Sequence, residues 1–244
     1  MNLAQSIHPI PGASPIVLRR IPQGRFLMGS YQGLPFAPEG PEHSVNIASF
    51  WMADAPITAE QYAAITGQTR PQPNSRPDLP AVNLCRFDAQ QFCQRLSQDW
   101  NLTVRLPSEA QWEYACRAGS TTQFHFGDSP THLTNYAWFE NNSGQQPAPI
   151  RLKQPNAWGL FDIIGNVWEW CADHWHEDYT GAPVDGSAWL DGPVGQEHPP
   201  PKRRCVRGGA WDMDAFRCRS SYRSFDWDDA ATNRTGFRII VDRT

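Results

Sequence analysis

Proline and glycine punctuate this chain from end to end, and no other feature restricts its fold as much. Its 22 Pro and 18 Gly run from Pro9 to Gly236 without gathering in one tail. Proline interrupts helices and sheet ladders, and glycine favours turns, so the regular elements must be short and the turns many. A core is still expected, because 40% of the residues are hydrophobic, with 11 Trp and 12 Phe, and only 19% are charged. Disordered chains lack that apolar content. The 244 residues read as one domain over 16–244 behind a short N-terminal extension, 1–15, with no internal repeat.

Local signals place the elements. Residues 16–30, IVLRRIPQGRFLMGS, read as two short strands forming a hairpin around Pro22-Gln23-Gly24. Residues 43–58 read as a further strand pair ended by Pro56, since Val45, Ile47 and Phe50 to Met52 are β-branched or large apolar side chains. Two capping boxes announce helices, Thr58 to Gln61 before a stop at Gly67, and Ser108 to Gln111 before a stop at Gly119. Between them Phe92, Cys93, Leu96 and Trp100 fall on one stripe of a third helix over 87–100. Beyond residue 119 no long helix is expected, and the stretch from His176 to Cys205 reads as a long surface loop.

Several classes of function are disfavoured at once. The net charge is -4 and the longest basic run is Lys202-Arg203-Arg204, too short to track phosphates, so no nucleic-acid partner is expected. No window approaches the roughly 20 apolar residues of a membrane span, and the N-terminus has no basic start, which makes the cytoplasm the expected location. The six cysteines show no CxxC pair and read mostly as small buried hydrophobes. GxSxG, HExxH and GxxxxGK[ST] are all missing from the sequence.

Five ordered blocks carry a family likeness: GRFLMGS (24–30), RLPSEAQWEYACRAG (105–119), NAWGLFDIIGNVWEWCAD (156–173), RCVRGGAW (204–211) and TGFRII (235–240). Together they resemble the domain of the formylglycine-generating, sulfatase-modifying enzymes and their relatives. The resemblance implies an α+β, C-type-lectin-like fold, loop-rich, with short twisted strands and two to three helices. Members include copper-dependent oxidases of protein cysteines, iron-dependent sulfoxide synthases with an extra helical domain, and variable binding proteins diversified by retroelements. A fold alone does not choose among these activities.

The oxidases carry two cysteines after the Gly-Gly pair, five residues apart. Counted from Gly208-Gly209, those positions hold Met213 and Cys218 here. A thioether can ligate Cu(I) but cannot form a disulfide or carry a thiolate's charge, so half of the copper site is replaced. Cys218 is expected to be a core residue on a strand. The iron-dependent relatives draw histidines from a domain that this chain has no room for, and His174 with His176 lack a third ligand near in sequence. No catalysis is therefore expected, the alternative being a metal-dependent oxidase acting on a protein cysteine.

In the resembled enzymes the block DIIGNVWEW binds a structural calcium. Carried across, the ligands would be the Asp162 and Glu169 side chains with the Gly165 and Val167 carbonyls, oxygen donors of the kind a hard cation takes. The competing reading is that Glu169 forms an ion pair with Arg207 or Arg238.

Within 207–238 the likeness separates scaffold from display. Arg207, Gly208, Gly209, Trp211, Arg219, Tyr222, Arg223, Gly236, Phe237 and Arg238 match the family's scaffold. Between them Asp212, Met213, Asp214, Phe216, Arg217, Ser224, Phe225, Asp226, Trp227, Ala230, Thr232, Asn233 and Arg234 sit at spacings resembling the ligand-contacting positions of the variable proteins. Aromatic residues and Met offer contact area, and Asp and Arg offer directional charge. Clustered aspartates point to a basic or hydroxyl-rich partner, a protein or a carbohydrate. One observation opposes diversification: changing the first two bases of an Asn codon cannot yield Met213 or Trp227.

Overall fold

The computed structural model describes residues 4–30, 38–69, 76–190 and 202–242. Its elements are short, as the punctuation requires. Among the described residues eleven strands form one five-stranded, one four-stranded and one two-stranded sheet, with three α-helices. The fold class is α+β.

The five-stranded sheet has the order β1 (Gln5–Ile10), β2 (Ala13–Ile21), β5 (Phe50–Ala53), β11 (Ile240–Asp242), β6 (Thr103–Arg105), so the two ends of the described chain lie in one sheet. Part of the stretch expected as an extension is thus strand β1, paired antiparallel with β2. The expected hairpin over 16–30 does not form. β2 already has β1 and β5 as neighbours, and Pro22-Gln23 carries the chain to a separate ribbon in which β3 (Gly24–Met28) pairs with β4 (His43–Ile47). For the same reason the strands expected over 43–58 exist but do not pair with each other: β4 is bound to β3, and β5 lies between β2 and β11.

The helices follow their sequence signals. α1 (Ala59–Thr66) and α3 (Glu109–Arg117) start at complete capping boxes on Thr58 and Ser108. α1 ends at Gly67 as expected, whereas Ala118, not Gly119, takes the left-handed cap of α3. α2 (Arg86–Trp100) buries Phe92, Cys93 and Leu96, and Trp100 lies at its partly exposed end. After α3 only two short 3-10 turns occur among the described residues, Pro130–Asn135 and Ala215–Cys218.

The four-stranded sheet, order β10 (Thr235–Gly236), β7 (Trp168–His174), β8 (Arg203–Arg207), β9 (Arg223–Trp227), carries the segment of interest. β8 and β9 pair antiparallel from Arg203 opposite Trp227 to Arg207 opposite Arg223. Of the loop expected over 176–205, residues 191–201 lie outside the described residues, 176–190 contain turns but no strand, and the last three residues already belong to β8. No helix among the described residues is long and apolar enough to cross a membrane.

Candidate functional site

The segment 207–238 is fastened to the core by four buried arginines. Arg207 donates to the carbonyls of Ser220, Ser221 and Tyr222 at 3.0, 2.8 and 2.6 Å and pairs with Glu113. Arg219 grips both oxygens of Glu39 at 3.0 and 2.6 Å, and Arg223 grips both of Glu109 at 2.7 and 2.8 Å. Arg238 donates to both oxygens of Glu169 at 2.7 Å. Such bidentate pairs fix direction as well as charge. Burial opposes ionisation of Glu109, but Arg223 and Arg207 outweigh it and hold the carboxyl below its usual range.

Two glycines let the chain turn out of β8. Gly208 and Gly209 have φ of +100° and +79°, and a Cβ on Gly209 would lie 3.0 Å from Cys218 Sγ. The chain then passes Trp211, enters the 3-10 turn capped by Asp214, whose carboxylate accepts from Arg217 N at 3.0 Å, and returns through β9.

The scaffold residues of this segment are buried except for half-buried Tyr222, and none of the thirteen intervening positions is buried. Phe216, Phe225 and Trp227 are 49%, 37% and 46% exposed. Strand alternation divides the β9 members between two faces. Phe225 and Trp227 point outward, Phe225 against Trp175 at 5.2 Å and beneath the Arg203 guanidinium at 4.9 Å. Ser224 and Asp226 face the other way, where Asp226 accepts from Thr235 Oγ1 at 3.4 Å. Phe216 forms a third position, packed under the Arg219 guanidinium at 3.9 Å. Met213 packs partly buried against the core, and Ala230, Thr232 and Asn233 lie on the turn between β9 and β10.

The expected acidic cluster is largely neutralised within the chain. Asp212 pairs with Arg234 at 3.1 Å, Asp214 with Arg217 at 2.8 Å, and Asp228 with Arg204 at 3.3 Å. Burial raises the Asp226 carboxyl above its ordinary value. What the segment presents is therefore aromatic area among largely paired charges, because Asp212, Asp214 and Asp228 each fold beside an arginine, while Asp226 meets the Thr235 hydroxyl.

Cys218 is buried, in the 3-10 turn and not on a strand. Burial first, then Asp214 and Glu140, push its thiol well above the ordinary value, an environment that disfavours the thiolate. Cys116 is one of its neighbours. The Met213 carbonyl accepts from Glu140 N at 3.1 Å. Among the described residues no group of three or more His, Cys, Asp or Glu is placed to hold a metal. His174 ends β7, and His176 lies beyond the strand, stacked on Trp189 with centroids 3.5 Å apart.

Of the four residues implied for calcium, Asp162, Gly165 and Val167 precede β7 and Glu169 lies in it, and both carboxylates already have partners within the chain. Both Glu169 oxygens face Arg238, and Oε2 also accepts from Trp112 Nε1 at 2.8 Å. Asp162 accepts from Arg151 N at 2.7 Å, and its carbonyl accepts from Arg238 at 3.2 Å. Gly165 donates its N–H to Gly208 O at 2.8 Å, and Val167 is buried. A cation at these residues would share or compete for the Glu169 carboxylate with Arg238.

Sequence reasoning missed the carboxylates beneath the segment. Glu109, Glu113 and Arg117 recur at intervals of four on α3 and face the core, where Arg117 pairs with Glu113 at 2.8 Å. The sequence held part of the signal, since Glu109, Glu113 and Arg117 at i, i+4, i+8 share one helix face; that the whole helix is buried, and so must find them partners, is visible only in the structure.

Residues 14–243 match the profile of the sulfatase-modifying factor enzyme 1-like domain. The chain belongs to that family. The formylglycine-generating enzyme of Bos taurus is 30% identical over 183 residues, covering 68% of this chain but 45% of that protein, so the chain spans under half of that relative's length. The formylglycine-generating enzyme of Streptomyces coelicolor is 25% identical over 311 residues, with 98% and 94% covered. Among solved structures, Treponema denticola variable protein 1 superposes with a TM-score of 0.82 at 23% identity, covering 98% of this chain and 99% of its own. PvdO from Pseudomonas aeruginosa also reaches 0.82, at 29% identity with 94% and 95% covered. Members of the sulfatase-modifying family and a variable protein therefore share this C-type-lectin-like fold.

Proposed function

We propose that this chain is a non-catalytic ligand-binding protein that displays residues 212–234 on a C-type-lectin-like scaffold, in the manner of a variable protein. One observation carries the reading: buried arginines and aromatics fix the segment at intervals, and each of the thirteen positions between them is at least partly exposed. Such a division lets the outward side chains change without disturbing the core. Phe216, Phe225 and Trp227 supply the contact area, and the ligand is a protein or a carbohydrate surface able to cover them. The replacement of one copper-site cysteine by Met213, with Cys218 as a buried thiol, supports the non-catalytic part.

Protein and glycan arrays probed with the native chain and with a Phe216→Ser, Phe225→Ser, Trp227→Ser variant test the reading. Binding lost in the variant at an unchanged melting temperature is expected. Incubation with copper and a cysteine-containing peptide should yield no aldehyde; aldehyde formation abolished by Cys218→Ala would establish the oxidase instead. Sequencing around the gene for a reverse transcriptase and a near-copy of the 207–238 coding segment tests diversification, and finding neither removes that part.

A further inference from the structure

A cavity of about 430 Å³ lies between β3, α3 and the loop that follows it, apart from the thirteen displayed positions. Its volume falls within the range of small-molecule sites, roughly 300–1,000 Å³. One wall is a row of rings: Phe26 and Tyr114 have centroids 5.2 Å apart at 50°, and Tyr114 and Trp158 4.9 Å apart at 66°. Gly24 makes the row possible, since a Cβ there would lie 2.2 Å from the Tyr114 hydroxyl.

Another part of the lining is polar and uncharged, the stretch from Ser120 to Gln123. Ser120 and Thr122 spend their hydroxyls on each other and on the Phe124 carbonyl. The Tyr114 hydroxyl, the Thr121 hydroxyl and the Gln123 side-chain amide have no hydrogen-bond partner among the described residues. The one buried charge in the lining, Arg117, is consumed by Glu113 at 2.8 Å and by the Gly29 carbonyl at 2.9 Å. Arg25 and Glu42 are exposed. Among the buried lining residues no charge is left unpaired for an ion to meet.

We propose that this cavity binds the ring of a neutral saccharide. Its occupant must offer apolar C–H surface to the rings and hydroxyls to the polar lining, and a pyranose does both. Aromatic ligands can also pack on tilted rings, but a plain aromatic ring leaves the polar groups of Tyr114, Thr121 and Gln123 unmet. Donors and acceptors on Tyr114, Thr121 and Gln123 give the directional contacts that select one hydroxyl pattern over another. The site stands independently of the function proposed for 212–234.

Saturation-transfer NMR on the full chain, with N-acetylglucosamine, chitobiose and maltose as probes and indole as a flat comparator, tests the assignment. At least one sugar should bind. Thr121→Trp, which fills the mouth, and Leu27→Asp, which charges an exposed lining position, should each weaken it tenfold or more; the second serves if the first does not fold. Phe225→Ser/Trp227→Ser should leave it unchanged. The assignment is overturned if none of the three sugars binds, if indole alone binds, if both mouth variants bind sugar normally, or if the loss follows Phe225 and Trp227.

Discussion

Replacing Asp162 by Asn should stabilise the fold above pH 6 and change it little near pH 4. The carboxyl is 2% exposed, accepts one backbone N–H from Arg151 at 2.7 Å, and meets the Asn166 amide only at 3.4 Å. Burial raises its pKa from 3.8 to about 6. The native state therefore binds this proton more tightly than the unfolded chain does. As pH rises through that window the unfolded chain ionises first, so the wild type loses stability, and the loss persists at higher pH. The interval from 3.8 to about 6 corresponds to about 3 kcal/mol at about 1.4 kcal/mol per pKa unit. Asn forgoes about 1 kcal/mol of this, because its amide meets that of Asn166. It also suits the left-handed φ of 49° at this position. A net gain of about 2 kcal/mol is expected at pH 7.5. Urea unfolding of the two proteins in parallel from pH 4 to 8, with a chelator, gives a difference curve in which other titrating groups cancel. It should climb between pH 4 and 6 and then level. A difference independent of pH, or a variant less stable at pH 7.5 under chelation, would refute the reasoning.

Other measurements bear on the same core. Arg238→Met strands the Glu169 carboxylate, 1% exposed, with Trp112 as its remaining donor; a loss of about 3–5 kcal/mol is expected in the same unfolding assay, and a loss under about 1 kcal/mol would show that Glu169 has another partner. Calcium tests that alternative directly: if the ion binds at Asp162 and Glu169, chelation lowers the wild-type melting temperature and added calcium restores it, and the ion favours the wild type over Asp162→Asn. No shift in either direction removes calcium from these residues. Gly29→Ala should cost more than Gly24→Ala, because the added Cβ meets the Glu39 backbone carbonyl at 2.3 Å with φ at +93°, whereas at Gly24 it meets the end of the Tyr114 side chain; equal melting temperatures would contradict this. A thiol reagent should find Cys85 alone accessible in the native protein, since the other five cysteines are buried; rapid modification of Cys218 would reopen the oxidase reading.

The helices were readable because their signals are local. A capping box spans four residues, and Thr58 and Ser108 decide their helix starts whatever the rest of the chain does. The scaffold of 207–238 was readable through the family likeness, whose matched residues are buried apart from half-buried Tyr222. Strand partners were not. The hairpin expected at Pro22-Gln23-Gly24 fails because a turn signal states that the chain bends and not which strand it meets next; β2 is claimed by β1 and β5 from both sides. The same limit governs charge. Read in line, Asp212, Asp214, Asp226 and Asp228 form an acidic patch, yet three of them are matched by Arg234, Arg217 and Arg204, only one of which is near in sequence. The arginines of the scaffold obey this logic in reverse. Arg207, Arg219 and Arg223 stand in a surface-bearing segment, but the carboxylates that bury them come from α3 and from Glu39. A buried guanidinium without its carboxylate is costly, so those long-range pairs hold the segment's path from beneath. Exposed substitutions at Phe225 or Trp227 leave every one of these pairs in place, and under the proposed function this separation would let the surface vary while the fold persists.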